Sequence, residues 1–184
     1  MKDMIIQPGE PGFTFRRPVR LVSTQGRLEE LCRELIREEV IALDVETTLD
    51  WGTLCLVQIS TGNFNAVIDV FEVGDLTPFF LVLEDPEVGV IIHNAPFERG
   101  VLGKLGCRIT SVFDTLAASR RIRGRRIPGG HSLRAVCRRE LGIALDKSYQ
   151  TCDWTRRPLT PGQLNYAALD AEVLIDLYRL FGGE

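Results

Sequence analysis

The chain has 184 residues, of which 45% are hydrophobic and 26% are charged, and its formal net charge is −3. This length suits one ordinary domain, and the balance excludes a mostly disordered chain and a collagen-like one. No apolar stretch approaches the roughly 18 residues that a membrane span needs, and the first residues lack a signal-peptide pattern. The composition therefore predicts a soluble globular protein with no membrane partner.

The cysteines indicate a reducing compartment. There are five, an odd number, and no two of them form a C-x-x-C pair. This usage argues against a disulfide framework and against a cysteine zinc site. We therefore expect buried thiols and a cytoplasmic location.

The arginines are unevenly distributed. Between residues 108 and 139 there are nine arginines and one acid, and Arg123, Arg125 and Arg126 lie in the densest part. A basic segment in a mildly acidic chain indicates contact with a polyanion on one face. The sequence Ile-Pro-Gly-Gly that follows predicts a mobile loop that could close over phosphates. A solvated basic loop is the alternative.

The predicted strands and helices begin after a segment that contains several prolines and glycines. Residues 1–18 predict an extended lead-in, and 19–184 are expected to form a single domain. Alternation over 19–22 predicts a strand, and apolar spacing over 28–36 predicts an amphipathic helix capped by Ser23 or Thr24. Apolar runs predict further strands at 40–45, 54–59, 66–70, 88–92 and 109–113. Helices are predicted at 76–83, from Asn94 onward, and at 114–122, 132–141 and 161–181.

The order of these elements predicts the fold class. Three neighbouring strands come early, alternating helices and strands follow, and helices alone occupy the end of the chain. This arrangement describes an α/β layer fold with a mixed sheet.

Two acids end the most hydrophobic strand. Asp44 and Glu46 stand at i and i+2, so both side chains leave the same face of the sheet. Two ionised carboxylates so close repel each other unless a cation lies between them or one stays protonated. Oxygen donors of this kind suit Mg²⁺ or Mn²⁺. Ordinary strand-end acids beside a polar turn are the alternative.

Four later residues add candidates. Tyr166 and Asp170 stand one turn apart on the last helix, where a lone charge among apolar neighbours is costly. Tyr166 could instead be a core-edge tyrosine. Glu98 falls in the first turn of its helix, where the helix dipole alone would favour an acid. His93, just before that helix, could be a strand-end or capping residue rather than a ligand.

Together these segments resemble a known family. Residues 44–48 (DVETT), 93–98 (HNAPFE) and 166–170 (YAALD) look like the three exonuclease motifs of the DEDD superfamily. The tyrosine four residues before the last aspartate resembles the DEDDy branch, which includes ribonuclease D. Further similarity lies in LCLVQI at 54–59 and VFDT at 112–115, and the likeness extends from about residue 19 to 181.

The resemblance implies a fold and a reaction. The fold would be ribonuclease H-like, with a mixed sheet of five to six strands flanked by helices and a helical C-terminal half. The reaction would be removal of nucleotides from the 3′ end with two bound Mg²⁺ or Mn²⁺ ions. Asp44 would bridge both ions, Glu46 and Asp170 would complete the shell of the first, and Tyr166 would orient the attacking water. The second motif normally has aspartate where this chain has Glu98, so the second ion could be held differently.

The motifs and the arginine run together indicate which residues contact the substrate. The side chains expected to bind nucleic acid follow or precede the acidic motifs, or belong to the arginine run: Thr47, Thr48, Leu49, His93, Asn94, Phe97, Arg123, Arg125 and Arg126. The partner would be single-stranded RNA or DNA.

The sequence therefore predicts a cytoplasmic, metal-dependent 3′-5′ exonuclease that prefers RNA. Two alternatives are enzymes, namely an oligoribonuclease-type enzyme for very short RNA and an exonuclease for single-stranded DNA. An alternative of another class is a nuclease-fold module that binds nucleic acid and whose catalysis has decayed at Glu98.

Overall fold

A computed structural model of the protein describes residues 5–10, 14–50 and 52–182. Within these ranges the chain forms one mixed sheet of seven strands. The strands are β1 (Ile5–Ile6), β2 (Val19–Val22), β3 (Val40–Thr47), β4 (Leu54–Ser60), β5 (Asn65–Asp69), β6 (Gly89–Ile92) and β7 (Val112–Asp114). Their order across the sheet is β1-β2-β5-β4-β3-β6-β7.

The centre of the sheet is an antiparallel meander of β3, β4 and β5. On one side β2 runs parallel to β5, and on the other side β6 runs parallel to β3 and β7 parallel to β6. The turn predicted after β4 joins β4 to β5, so the predicted hairpin is confirmed. The mixed sheet of an α/β fold is confirmed as well.

The strand count of five to six was too low. The seventh strand is β1, which pairs antiparallel with β2 and lies inside the segment expected to be only a lead-in. A strand of two residues carries no periodicity of its own, so only its pairing reveals it. Residues 1–4 and 11–13 of that lead-in lie outside the described residues.

Helices cover both faces of the sheet. They are α1 (Gln25–Leu35), α2 (Val70–Val73), α3 (Thr77–Glu84), α4 (Ala95–Gly103), α5 (Thr115–Arg123), α6 (Leu133–Val136) and α7 (Pro161–Leu180). On one face, an apolar cluster joins α1 and α3 to β3 and β4. On the other face, α7 packs against the same two strands. Both faces of the central strands are therefore buried, which explains their nearly continuous apolar sequences.

Helix α7 starts as its sequence predicts. The Thr160 hydroxyl accepts from the Gln163 backbone N–H at 3.2 Å, and the Gln163 side-chain oxygen accepts from the Thr160 N–H at 2.9 Å. This capping box satisfies two backbone donors that a helix start leaves free. The predicted helix is confirmed, and it runs for 20 residues across the sheet.

The start of α4 differs from the prediction. Asn94 precedes the helix but makes no side-chain cap, and its backbone is left-handed, with φ of 78°. Instead the backbone N–H groups of Asn94 and Ala95 donate to the Asp114 carboxylate at 3.2 and 3.1 Å. Asp114 also caps α5, so one carboxylate binds the starts of two helices. A capping partner from a distant strand could not be read from the local sequence.

Three further boundaries differ. The predicted strand at 66–70 ends one residue early, because the Asp69 side chain caps α2 at Phe71. The strand predicted at 109–113 is shorter than expected and begins later, since β7 covers Val112–Asp114. The helix predicted at 132–141 is α6 followed by a π-helical turn, Cys137–Leu141, which ends at left-handed Gly142 as expected.

The thiols are free and mostly buried, as the composition predicts. All five cysteines are free, and four of them are buried. In the ranges that the structure describes, no helix combines the length and the apolar character needed to cross a membrane.

Candidate active site

Three carboxylates meet above the central strands. Asp44 and Glu46 leave the same face of β3, and Asp170 reaches them from α7. One oxygen of each lies within 4.8 Å of the others. The register of β3 against β4 shifts between Glu46 and Thr47, which bends the strand directly after the two acids. The pair predicted at the strand end is therefore completed by an acid far away in sequence.

Burial makes this cluster a poor place for negative charge. It raises the pKa of Asp44 to about 7, opposed only by a hydrogen bond from the Val45 backbone. Burial, and then repulsion from Asp44 and Asp170, raises the pKa of Glu46 to about 10. The pKa of Asp170 is also raised well above its usual range, by burial and by Asp44. Ionising all three acids near neutral pH is therefore unfavourable unless a cation lies among them.

Glu98 lies in the same cleft but outside the three-acid group. Its side chain is only 2% exposed, and its Oε2 atom has no hydrogen-bond partner in the described part of the chain. Burial and the charge of Asp44 raise the pKa of Glu98 to about 9. A helix-dipole role would not require burial of the carboxyl group, whereas an unpartnered buried oxygen suits an additional ligand.

Tyr166 lies one helical turn before Asp170. Its hydroxyl donates to the Asp170 carboxylate, and this hydrogen bond acts to lower the pKa of Asp170. Burial and the neighbouring acids raise the pKa of Tyr166 above its usual value, so the hydroxyl stays protonated. The ring packs with Trp154 and Tyr149 at centroid distances of 6.0 and 6.1 Å. Tyr166 therefore presents a fixed hydrogen-bond donor beside the acids.

The four carboxylates suit a divalent cation. They offer hard oxygen donors, three of them clustered, and one buried oxygen without a partner. Gln58 lies opposite Asp44 on β4 and is fully buried, and neither atom of its amide is hydrogen-bonded among the described residues. Unsatisfied polar atoms around an acidic cluster are typical of a site that binds an ion and its ordered water. The residues present therefore fit Mg²⁺ or Mn²⁺.

The acids open onto a cleft of about 870 Å³, here called the acidic cleft. All five candidate catalytic residues line it. Of the residues expected to bind nucleic acid, these also line it: Thr47, Thr48, Leu49, His93, Asn94, Phe97 and Arg125. Leu49 projects from its rim and is 64% exposed.

Two of the expected arginines lie elsewhere. Arg123 donates to both oxygens of Glu140, at 3.1 and 2.7 Å, and Glu140 also accepts from Arg139. Because this ion pair occupies its guanidinium, we leave Arg123 out of the proposed binding site. Arg126 lines a neighbouring pocket and not the acidic cleft.

His93 has a supporting role in this geometry. Burial lowers its pKa to about 4, so the ring is neutral near pH 7. Its Nε2–H donates to the His131 carbonyl at 2.9 Å, and its Nδ1 accepts from the Thr115 hydroxyl at 2.9 Å. His93 therefore ties the end of β6 to α5 and to the segment before α6, which agrees with the strand-end alternative.

Several residues of the cleft were absent from the expected site. They are Val45, Leu116, Arg120, Gly130, His131, Ser132, Leu133, Gln150 and Thr151. Arg120 belongs to the arginine run, so its charge was a usable signal. Gln150 and Thr151 belong to a loop without periodicity, and only the fold brings them to the cleft.

The sequence of the chain is similar to those of known nucleases and polymerases. Residues 19–183 match the model of a 3′-5′ exonuclease family. The chain is 35% identical over 157 residues to DNA polymerase I of Aquifex aeolicus, covering 85% of this chain and 26% of that protein. It is 32% identical over 171 residues to ribonuclease D of Gluconacetobacter diazotrophicus, covering 90% of this chain and 42% of that protein. The chain thus spans less than half the length of either relative.

Solved structures give the same result. The catalytic core of RRP6 from Trypanosoma brucei has a TM-score of 0.82 and 29% identity, covering 96% of this chain and 50% of that one. Brucella melitensis NrnC with bound Mg²⁺ has a TM-score of 0.73 and 27% identity, covering 89% of this chain and 79% of that one. These likenesses confirm the ribonuclease H-like fold. The chain belongs to the 3′-5′ exonuclease family and is ribonuclease D-like.

Proposed function

We propose that the protein hydrolyses single-stranded RNA from its 3′ end, in the cytoplasm, with divalent Mg²⁺ or Mn²⁺ bound in the acidic cleft. The observation that carries this proposal is the cluster of Asp44, Glu46 and Asp170, whose oxygens lie within 4.8 Å of one another. Their raised pKa values give the cluster a physical need for a cation. Membership of the 3′-5′ exonuclease family supports the reaction.

The residues divide into metal-holding and water-orienting groups. Asp44 would hold both ions, Glu46 and Asp170 would hold the first, and Glu98 would hold the second. Bound divalent ions lower the pKa of a water molecule and stabilise a leaving 3′ oxygen. The Tyr166 hydroxyl, which stays protonated and donates to Asp170, would accept a hydrogen bond from the attacking water and so orient it. The positions of these donors and acceptors are set by β3, α4 and α7 before substrate binds.

The rest of the cleft suits a single strand. Leu49 and Phe97 offer apolar surface against which an unpaired base can pack, and Thr47 offers a hydroxyl for the sugar. The Thr48 hydroxyl is hydrogen-bonded to Asp50 and to the Thr53 backbone, so Thr48 shapes the turn beside it. Arg125 offers a guanidinium for a phosphate. Bases held in a stacked duplex could not make these contacts, so single strands are favoured.

The preference for RNA is supported by the ribonuclease D and RRP6 relatives. Two other candidates each have one supporting observation. The DNA polymerase I relative favours single-stranded DNA as substrate. The replacement of the usual aspartate by Glu98 favours a module that binds nucleic acid without cleaving it. Very short RNA is a third candidate substrate.

One assay tests the proposal. Purified protein is incubated with 5′-labelled RNA and DNA of two to twenty-four nucleotides, with Mg²⁺, with Mn²⁺ or with a chelator. We expect a ladder of products shortened from the 3′ end, faster on RNA, and no cleavage with chelator. Cleavage that survives chelation, or internal cuts, would contradict the mechanism. Binding without turnover on every substrate would favour the binding module.

A substitution at Glu98 tests whether the longer acid holds metal. Glu98→Gln keeps the size of the side chain and removes its charge, so we expect a marked loss of activity and weaker Mn²⁺ binding by calorimetry. Glu98→Asp keeps the charge and restores the residue usual in the family, so it should retain turnover. If Glu98→Gln leaves both activity and Mn²⁺ affinity unchanged, the acid serves only the dipole of α4.

A further inference from the structure

A second pocket adjoins the acidic cleft. It has a volume of about 660 Å³ and is lined by one alanine and four arginines, which we name the arginine pocket: Ala117, Arg120, Arg121, Arg125 and Arg126. In the described ranges, none of these four guanidiniums forms an ion pair or a hydrogen bond with an acid. Arg123 and Arg139, which are close to them in sequence, share Glu140 instead. The pocket is therefore a concentration of uncompensated positive charge.

The arginine pocket borders the acidic cleft. Arg120 and Arg125 line both, whereas Arg121 and Arg126 line the arginine pocket alone. A ligand that extends out of the cleft past Arg120 and Arg125 would therefore enter the arginine pocket. Carboxylates line the acidic cleft together with these two arginines, whereas the charged residues that line the arginine pocket are all arginines.

The fold anchors the backbone that carries the arginines. Helix α5 supplies Arg120 and Arg121 on the turn after Ala117, and Gly124 ends the helix with φ of 85°. The Gly124 carbonyl accepts from His131 Nε2 at 2.9 Å, and His131 Nδ1 accepts from the Ser119 hydroxyl at 2.9 Å. His131, at the end of the loop that carries Arg125 and Arg126, thus hydrogen-bonds to Gly124 at the start of that loop and to Ser119 on α5. Binding a ligand there costs less backbone conformational entropy than binding at an unanchored loop.

We propose that the arginine pocket binds backbone phosphates of the RNA that lie 5′ of the nucleotide being removed. This inference rests on the proposed function, because the 3′ end must lie at the acids and the rest of the strand must then leave the cleft. Guanidiniums bind phosphate oxygens in a bidentate way. Four guanidiniums around one pocket can contact more than one phosphate. The protein would therefore bind longer RNA more tightly than a dinucleotide.

The test removes charge from the arginine pocket without touching the acidic cleft. The double variant Arg121→Ser/Arg126→Ser is compared with Arg134→Ser/Arg138→Ser, which removes the same charge from exposed residues that line neither cavity. KM and kcat are measured in the full chain for an oligoadenylate octanucleotide and for a diadenylate, at several NaCl concentrations. Thermal melting checks that both variants are folded.

We expect the pocket variant to raise KM for the octanucleotide by about tenfold or more, the loss expected for charge-assisted hydrogen bonds, with kcat little changed. The log-log salt dependence of its KM should become shallower by about 1.4, since each single-strand phosphate contact contributes about 0.7. KM for the diadenylate should change far less, because one phosphodiester cannot reach the pocket. The control variant should leave both values near those of the wild type.

Three results would overturn the inference. An equal penalty on the diadenylate would place these arginines at the scissile phosphate. An equal penalty from the control variant would reduce the effect to overall charge, and no penalty on either substrate would exclude an RNA site. If the wild type cleaves nothing, the proposed function fails by itself. Fluorescence anisotropy of the labelled octanucleotide then still decides whether the arginine pocket binds RNA, since the pocket variant must bind more weakly than the control.

Discussion

Asp44→Ala should abolish turnover on every substrate and make the metal-free protein more stable. Asp44 lies between the other acids, and it contributes to the raised pKa of Glu46, Glu98 and Asp170. Removing it takes away an oxygen ligand and a buried negative charge together. We expect the melting temperature of the metal-free variant to rise by roughly 2 to 4 °C, the shift produced by about 1 kcal/mol in a chain of this size.

The pH dependence of stability supplies a second measure of the same substitution. Because the folded-state pKa of Asp44 is raised from 3.8 to about 7, the folded protein keeps a proton that the unfolded chain has lost. The free energy of unfolding of the metal-free wild type should therefore fall as the pH rises from about 4 to about 7. This part of the dependence should be missing in Asp44→Ala, and saturating Mg²⁺ should restore stability to the wild type alone.

Asp44→Asn separates charge from packing. It fills nearly the same volume as the acid without the charge, so it should be inactive and as stable without metal as Asp44→Ala. Retained activity in either variant would place the metal site elsewhere. A fall in the stability of both variants at pH 8 would mean that Asp44 serves the fold rather than the cation.

Tyr166→Phe should lower kcat by roughly 10²-fold, the scale for removing one positioned polar group at a reacting centre. The ring that packs with Trp154 is kept, and only the hydroxyl beside Asp170 is lost. Because the hydroxyl is expected to orient water and not to bind metal, Mn²⁺ affinity by calorimetry should change little. The effect should therefore appear in kcat and not in metal binding.

Tyr149→Phe is the matched control. Tyr149 belongs to the same aromatic group as Tyr166, but its hydroxyl lies against Gly162 and it does not line the acidic cleft. Its removal should leave kcat close to that of the wild type. A rate unaltered by Tyr166→Phe, or lowered equally by both substitutions, would make Tyr166 a packing residue.

The fold could be predicted where the local sequence pattern decides the structure. The central strands are apolar because both of their faces are buried, and α7 begins at a capping box that can be read directly. Prediction failed where a distant partner decides the conformation. Strand β1 exists only through its pairing with β2, and the start of α4 depends on the carboxylate of Asp114.

The same distinction between local pattern and distant contacts applies to the candidate site. The acids of β3 and the spacing of Tyr166 and Asp170 follow from strand and helix periods, so the sequence by itself determined which residues share a face. Only the tertiary structure brought Asp170 within 4.8 Å of Asp44 and Glu46, and paired Arg123 with Glu140 while leaving four other arginines around a pocket. The physical reason is that periodicity acts over a few residues. Contacts between elements far apart in the chain depend instead on the order of strands in the sheet and on how α5 and α7 pack against it.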